Sequence, residues 1–556
     1  MLAPISADAA LERLRVPQPA DLLLTHARVL TQNPDQPRAE AVAVRGNRIV
    51  FVGGAADAEA WRGPGTRVID GQGATLIPGL IDSHFHLMHG ALGLDTAQLW
   101  PATTPDQAAA ILRDYLAGNR TRPWVQGWGL RYAVFPDDPP VRRQLDAIAA
   151  DRPMLLTAYD GHTAWANTRA LELAGLLTGY PEVAQAEWIV RDAAGAPTGE
   201  LREGAMALVR RHIPEPDAAR RRELVQAALK RLAQAGLTSV HNMDGNLEQL
   251  ALYAAMEDVG ELTLRVYVPY SVTPETTVEQ LAEAVEMARL QGDPASGGGP
   301  GLARGGAVKF FMDGVLESYT ALMLAPYADR PESGGEGLYS LEHFARMATE
   351  CDRRGLQIFV HCCGDGAVRR TLDGYAAVQR ANGRRDSRHR VEHIEVIHPD
   401  DLPRFRQLGV LGSVQPLHAP ADVNDGDVWP SRAGRERWPL SFAWRTLREA
   451  GVHLAFGSDW PVVTYDPLLG LQAALTRRPW QPGDPEQRQT LDEALAGYTR
   501  DAAYAEFQEH EKGQLKPGRL ADLVLLSGDL EQTPPEAVTD LKPVLTVMDG
   551  RIVHEG

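Results

Sequence analysis

Five stretches of this chain are short apolar runs that carry a side chain able to bind a divalent cation at or near the end: His84 and His86, Lys309, His361, His393 and Asp459. No other feature narrows the choice of fold as much. A parallel barrel gathers the C-terminal ends of its strands on one face, so residues hundreds of positions apart meet there. A site built from imidazoles and carboxylates binds zinc-like cations, and such a cation makes hydroxide from water near neutral pH.

The rest of the pattern agrees with a barrel. Eight core strands are read from TLIPGLIDSHFH, LTSVHNM, LRVYVPY, GAVKFFMD, LQIFVHC, HRVEHIE, GVLGSVQP and HLAFGSD. Several are nearly continuous apolar runs, as strands buried on both faces must be. Helical segments such as ARRRELVQAALKRLAQAG and LEHFARMATECDRRG separate them, each closing on a Gly suited to a helix C-terminus. The predicted class is α/β, a (β/α)8 TIM barrel over 77–511. The stretch from about 95 to 215 is too long for one connection. It contains PMLLTAYD and its own helices, and is read as an inserted subdomain over the barrel mouth. The Gly- and Pro-rich run 292–306 is read as a loop. AVAVRGNRIVFVGG and VLTVMDGRIVHEG alternate apolar and polar residues around Gly-Asn and Asp-Gly, the mark of hairpins. Segments 20–76 and 512–556 are therefore expected to form one composite β domain that the chain leaves and re-enters.

At 556 residues the chain exceeds a single compact core. A net charge of -17 opposes nucleic acid or an anionic membrane as partner, since both require basic patches. No run of about 18 apolar residues is present for a membrane span, and the N-terminus lacks a basic start followed by an apolar core. A cytoplasmic location is the expectation, with a small-molecule substrate as partner and room for a homo-oligomer. Of the three cysteines, Cys362 and Cys363 are adjacent and none forms a CxxC pair, so a thiolate zinc site is not expected and they are read as packing residues.

His84 and His86 are two apart in a strand, so both imidazoles share a face. Asp82 and Ser83 stand beside them as candidate acceptors to set the imidazole tautomers. Lys309 lies among apolar neighbours in GAVKFFMDG. One reading is a buried ion pair with Asp313 or Glu317. The other is a neutral amine that reacts with carbon dioxide to form a carbamate able to bridge two cations.

Together the residues resemble the amidohydrolase superfamily, and more narrowly its amidohydrolase-3-type subgroup, which is similar to N-substituted formamide deformylases. The resemblance is carried by LIPGLIDSHFHL, DGHTAWANTRAL, GLTSVHNMD, VKFFMDGVLESYTALMLAPY, VHCCGDGAV, RVEHIEVIHPDDLPRF, SVQPLHA, GSDWPVVTYDPLLG and GQLKPGRLADLVLL. It implies a first metal on His84, His86 and Asp459, a second on His361 and His393, and carboxylated Lys309 between them, with zinc as the expected ion at both positions. It further implies that a hydroxide shared by the two ions attacks the substrate carbonyl while Asp459 moves its proton to the leaving amine. His162 matches a position near substrate. Trp128, Tyr159, Trp165, Gln415, His418 and Trp460 flank the expected mouth as candidate substrate contacts. The implied activity is hydrolysis of a non-peptide carbon–nitrogen bond, an amide or N-formyl group. A cyclic amide, carbamate or ester hydrolase with the same site, a mononuclear deaminase and a non-catalytic member of the fold are the other readings.

Overall fold

In the computed structural model, which describes residues 18–134, 141–177, 188–289, 301–421, 423 and 428–556, the eight apolar runs form one parallel sheet in chain order. Its strands are β1 Leu80–Phe85, β2 Leu237–Asn242, β3 Arg265–Ser271, β4 Ala303–Phe311, β5 Gln357–Cys362, β6 Arg390–His393, β7 Leu411–Val414 and β8 Leu454–Phe456. Every neighbouring pair is parallel. The sheet closes on itself just past β8. There Trp460 bridges Phe85, and the Asp459 N–H donates to the His84 carbonyl at 2.7 Å. The chain is a (β/α)8 barrel.

Burial explains the strand composition. All six residues of β1, β2 and β5 are buried, because side chains on one face fill the barrel and those on the other meet helices. The helix Ala218–Gln234 starts at Asp217, whose carboxylate accepts the Arg220 N–H, and lays Leu224, Val225, Ala228, Leu229 and Leu232 on the barrel. The helix Leu341–Arg353 is capped by Ser340 and buries Phe344, Met347, Ala348 and Cys351. Gly236 and Gly355 follow these helices at φ +80°, a left-handed turn that glycine adopts without strain.

Two boundaries differ from the sequence reading. TLIPGLIDSHFH is two strands. Thr75–Pro78 belongs to the terminal β sheet, and β1 starts at Leu80. Gly79 is the joint, where a Cβ would lie 2.3 Å from the Thr238 hydroxyl oxygen. Of the run 292–306, residues 292–300 lie outside the described residues, while Ala303 to Gly306 open β4 rather than a loop.

The two chain ends share a sheet. Leu523–Leu526 pairs antiparallel with Thr75–Pro78, which pairs parallel with Arg28–Leu30. Ala41–Arg45 and Arg48–Gly53 form one hairpin, with Gly46 at φ +57°. Pro543–Met548 and Arg551–Glu555 form the other, with Asp549 and Gly550 at +52° and +74°. Between β1 and β2 lies a second six-stranded sheet, where the sequence reading named one strand. Its members run from Ala97–Gln98 through Val125–Leu130, Met154–Ala158, Thr163–Ala166 and Pro197–Arg202 to the edge strand Ile189–Arg191. Among the described residues no helix is long and apolar enough to cross a membrane.

The helix Leu87–Gly93 follows β1, and a Cβ on its Gly90 would stand 2.1 Å from the Trp460 ring. Overpacking of this kind costs roughly 1–3 kcal/mol, and Trp460 adjoins Asp459. Gly90→Ala should lower the urea midpoint and also reduce bound metal. An unchanged midpoint and metal content would show that the Trp460 shelf is soft.

Candidate metal centre and its cavity

The candidate ligands meet at the C-terminal end of the barrel. The ring centroids of His84 and His86 are 5.7 Å apart, those of His84 and His393 are 4.6 Å apart, and those of His361 and His393 are 4.4 Å apart. Asp459 Oδ1 is 3.1 Å from His86 Nε2 and 3.4 Å from His84 Nε2. One donor atom from each of His84, His393 and Asp459 lies within 4.8 Å of the others. That trio draws on both of the sets assigned to separate ions by the resemblance.

A ring of carboxylates backs these imidazoles. Glu392 Oε2 is 2.7 Å from His84 Nδ1, Asp313 Oδ1 is 3.2 Å from His361 Nδ1, and Asp244 Oδ1 is 3.5 Å from His86 Nδ1. A carboxylate on Nδ1 holds the proton there and leaves Nε2 with a lone pair for a cation. The sequence reading gave this task to Asp82 and Ser83, and the structure corrects it. Asp82 accepts the backbone N–H groups of His84 and Ser458 across the barrel seam, and the Ser83 hydroxyl meets that of Ser413. Strand alternation hid Glu392, since a residue next to an inward-facing His393 should face outward. His393 sits at φ +71° and Ile394 at +52°, so the alternation breaks at the strand end and both side chains reach the centre. Asp459, at φ +64°, makes the same turn past β8. Left-handed non-glycine residues of this kind are strained and cluster at functional sites.

Electrostatics at three of the imidazoles suits cation binding. Burial holds His84, His361 and His393 well below the usual imidazole range, so they are neutral donors. Burial also pulls His86 down, but Asp244 and Asp459 outweigh it and raise His86 to about 9. Burial alone would raise Asp459, yet His84, His86 and His418 hold its carboxyl well below the usual range.

Lys309 is 1% exposed, and its Nζ has no hydrogen-bond partner. The ion pair with Asp313 or Glu317 considered from the sequence is not formed. Asp313 instead accepts the N–H groups of Leu322, Cys363 and Gly364, and the Tyr159 hydroxyl donates to Glu317 at 3.1 Å. Burial lowers the Lys309 pKa from its ordinary value. Both ring nitrogens of His393, His418 Nε2 and Asp459 Oδ1 are likewise buried without a hydrogen-bond partner. Each such atom costs about 1–3 kcal/mol to bury unpaired. A divalent cation coordinates nitrogen and carboxylate lone pairs, so this donor set fits one.

Above the ligands opens a cavity of about 830 Å³. The barrel and the inserted sheet both line it, with Trp100, Trp128, Tyr132, Tyr159, Phe311 and Tyr339 as its aromatic wall. Trp128 is pinned by its indole N–H, which donates to the Pro461 carbonyl at 2.9 Å. His162 and His418 also line it. His162 Nδ1 is 2.9 Å from Glu203 Oε2, and its ring centroid is 5.4 Å from that of His361. Burial opposes the charged form of His162, but Glu203 raises it to about 9. His418 Nε2 is 3.8 Å from Asp459 Oδ2. Three of the flanking residues are not among the lining residues. Gln415 is buried, with its amide toward the Ser413 carbonyl at 3.5 Å. Trp460 packs on Phe85, ring centroids 5.1 Å apart. Trp165 packs on Tyr132 at 5.7 Å. Glu203 and Glu392 escaped the sequence reading, because a lone carboxylate in an apolar strand or after a turn carries no spacing signal.

The family model Amidohydro_3, the amidohydrolase family, matches residues 67–554. The chain belongs to the amidohydrolase family. It is 33% identical over 522 residues to protein LONG AFTER FAR-RED 3 of Arabidopsis thaliana, covering 91% of this chain and 87% of that one. It is 28% identical over 553 residues to the N-substituted formamide deformylase of Arthrobacter pascens, covering 97% and 99%. Among solved structures, an uncharacterized metal-dependent hydrolase from Pyrococcus furiosus shares the fold, with a TM-score of 0.70, 24% identity and coverage of 93% and 99%.

In this family member Glu392→Gln would replace the acceptor on His84 Nδ1 by an amide that can also donate. Loss of such a partner typically costs 10–100-fold in metal affinity. We expect a fall of roughly that size in a chelator competition titration, and an unchanged affinity would show that His84 needs no acceptor.

Proposed function

We propose that the protein hydrolyses a non-peptide carbon–nitrogen bond, an amide or N-formyl group, in a small molecule with an apolar or aromatic substituent. The observation that carries this reading is the set of buried atoms without a hydrogen bond on Lys309, His393, His418 and Asp459, gathered at the barrel end beneath an aromatic-walled cavity. His84, His86 and Asp459 would hold one cation and His361 and His393 a second, zinc being suited to both. Divalent cations in these positions supply a Lewis acid for a carbonyl and a nucleophile from water near neutral pH.

The chain's own residues do the rest. Lys309, whose charged form burial disfavours, would attack carbon dioxide through the lone pair of its neutral Nζ. A nitrogen–carbon bond would form, one proton would leave to solvent, and the carbamate would add an anionic oxygen donor to the candidate ligand set. Asp459, ionised at neutral pH, accepts a proton from the attacking water and delivers it to the leaving amine. His162, with Nδ1 engaged by Glu203, has Nε2 left to donate to the substrate carbonyl. Trp128 and Tyr159 present fixed aromatic faces to the substituent. The 28% identity to the formamide deformylase supports the N-formyl choice. A second reading has one observation in its favour. The compact trio of His84, His393 and Asp459 suits a single cation, as a mononuclear deaminase would use.

The deciding experiment assays the purified protein against N-formyl, N-acyl and cyclic amides, with metal content measured on the same sample. Turnover of an N-formyl or N-acyl amide at two ions per chain is expected. One ion with deamination, or no turnover of any amide, would overturn the proposal. Lys309→Ala should lose the second ion and most activity, and two retained ions with full turnover would refute the carbamate donor. Asp459→Asn keeps the shape but removes the base. Positioned proton transfer is worth roughly 10²–10⁴ in rate, so kcat should fall at least that far with metal still present. Near-normal kcat would move the proton-transfer role to His162.

A further inference from the structure

A buried arginine lines the cavity, and no carboxylate of the described residues meets its charge. The helix Pro467–Thr476 ends at Arg477, whose backbone N–H donates to the Ala473 carbonyl at 3.0 Å. Arg477 lines the same cavity as the candidate metal ligands, together with Val462 and Val463 just past Asp459 and with Ala473 and Thr476 of its own helix. It is 8% exposed. Its Nη1 donates to the Arg478 carbonyl, and its Nε is buried without a hydrogen-bond partner. Asp484 and Glu486 favour its charged form through space, but neither is in ion-pair contact with it.

The guanidinium is held in place. It lies 3.8 Å over the Trp480 ring centroid. Trp480 is fixed in turn, since its indole N–H donates to the Pro420 carbonyl at 3.0 Å and its ring packs on Trp429 and Phe442, centroids 5.8 and 6.2 Å away. An arginine stacked on an aromatic face keeps its donors in the plane of the fork, where they meet an anion edge-on. With Nη1 spent on a carbonyl, the remaining edge is Nε with Nη2, two parallel donors spaced for the two coplanar oxygens of a carboxylate. Burial lowers the Arg477 pKa to about 10, which leaves it charged at neutral pH. A buried charge without a close partner is costly, and an arriving anion removes that cost. The cavity's own acids do not compete for it. Asp160 accepts the Tyr132 hydroxyl at 2.9 Å, Glu395 accepts the Trp429 indole N–H at 2.7 Å, and Glu203 and Glu317 are engaged by His162 and Tyr159.

We propose that Arg477 binds a carboxylate on the substituent of the substrate. The substrate class is then an N-formyl or N-acyl amine with an anionic tail, its carbonyl at the candidate metal ligands and its carboxylate on the Nε–Nη2 edge. This rests on the amide-hydrolase reading for what occupies the other end of the cavity. A charge fixed at one end orients the carbonyl at the other, so that binding energy from the tail is spent on positioning the scissile bond.

The test compares isosteres. N-formyl benzylamines with a para carboxylate, carboxymethyl or carboxyethyl group are assayed beside the corresponding carboxamides, which match them in shape but carry no charge. For the arm that fits, wild-type kcat/KM should favour the carboxylate roughly 10–100-fold, the worth of charge-assisted hydrogen bonds. Arg477→Met should bring that ratio close to one, and Arg477→Gln serves if the first variant does not fold. Calorimetric titration of the purified protein with 4-ethylbenzoate and 4-ethylbenzamide reads the same contact without turnover. The benzoate should bind more tightly by a similar factor, and the variants should lose that advantage. Turnover of the amides with no carboxylate preference at any arm length would overturn this inference and leave the amide-hydrolase reading standing. A preference that survives the substitution would place the anion at the metal centre and also overturn it. Arg477-dependent benzoate binding without turnover of any amide would overturn the amide reading and leave the anion site.

Discussion

At the candidate metal centre, His84 and the strands around it lean on one ion pair with no access to solvent. Arg390 and Glu392 on β6 are both fully buried, and the guanidinium grips the carboxylate at 2.8 and 3.0 Å. The other Arg390 donors reach His241 Nδ1 on β2 at 2.8 Å, the Ser83 carbonyl on β1 at 2.5 Å and the Ser413 hydroxyl on β7 at 2.9 Å. Its plane lies over Phe359 of β5. One side chain therefore ties five strands together at the barrel centre. Removing one partner of such a pair costs roughly 3–5 kcal/mol, because the other charge is left buried and unmatched. Glu392 spends its remaining capacity on His84, so the same carboxylate that neutralises the core arginine also orients a candidate metal ligand.

The polar column continues away from the site. His241 Nε2 is 3.2 Å from Glu506, which also takes Arg304 and, at 2.6 Å, Lys512. Lys512 bonds the Ser239 hydroxyl, and Arg265 bonds Asp522 at 2.7 Å and Asp549 at 2.8 Å. These contacts join the barrel floor to the C-terminal strands of the β domain. Packing the interior with matched charges instead of apolar side chains costs stability but gives each strand one permitted register, since a slip would strand a charge without its partner. That precision serves the opposite end, where side chains from five strands must sit within a few ångströms of one another.

At that end the chain departs from regular geometry. His393, Ile394 and Asp459 take left-handed backbone angles, and the inserted sheet brings His162, Trp128 and Tyr159 across the opening. Rigid strand ends carry the ligand types, and a separately folded sheet supplies the cover and the aromatic wall. The candidate ligands and the aromatic wall are thereby placed on different parts of the chain, an arrangement by which one barrel supports many chemistries.

The eight strands, the two hairpins and the glycine helix stops were legible in the sequence because each is a local matter of periodicity and backbone freedom. The convergence of His84, His86, Lys309, His361, His393 and Asp459 was legible too, through one topological rule about strand ends. What alternation and spacing missed follows from side chains that meet only in three dimensions. Glu392 turns inward because His393 breaks the strand, Asp82 is captured at the seam, and Gln415 and Trp460 pack into the wall instead of the cavity. Thr75–Leu80 reads as one apolar run, and only contact with Thr238 shows why Gly79 divides it. The two cysteines look alike in the chain, and only their neighbours, Thr371 for one and His361 for the other, tell them apart. The sequence by itself determined the order of elements and the chemical types at the strand ends. The tertiary structure decided which carboxylate meets which imidazole, since hydrogen bonds and desolvation act over a few ångströms and take no account of distance along the chain.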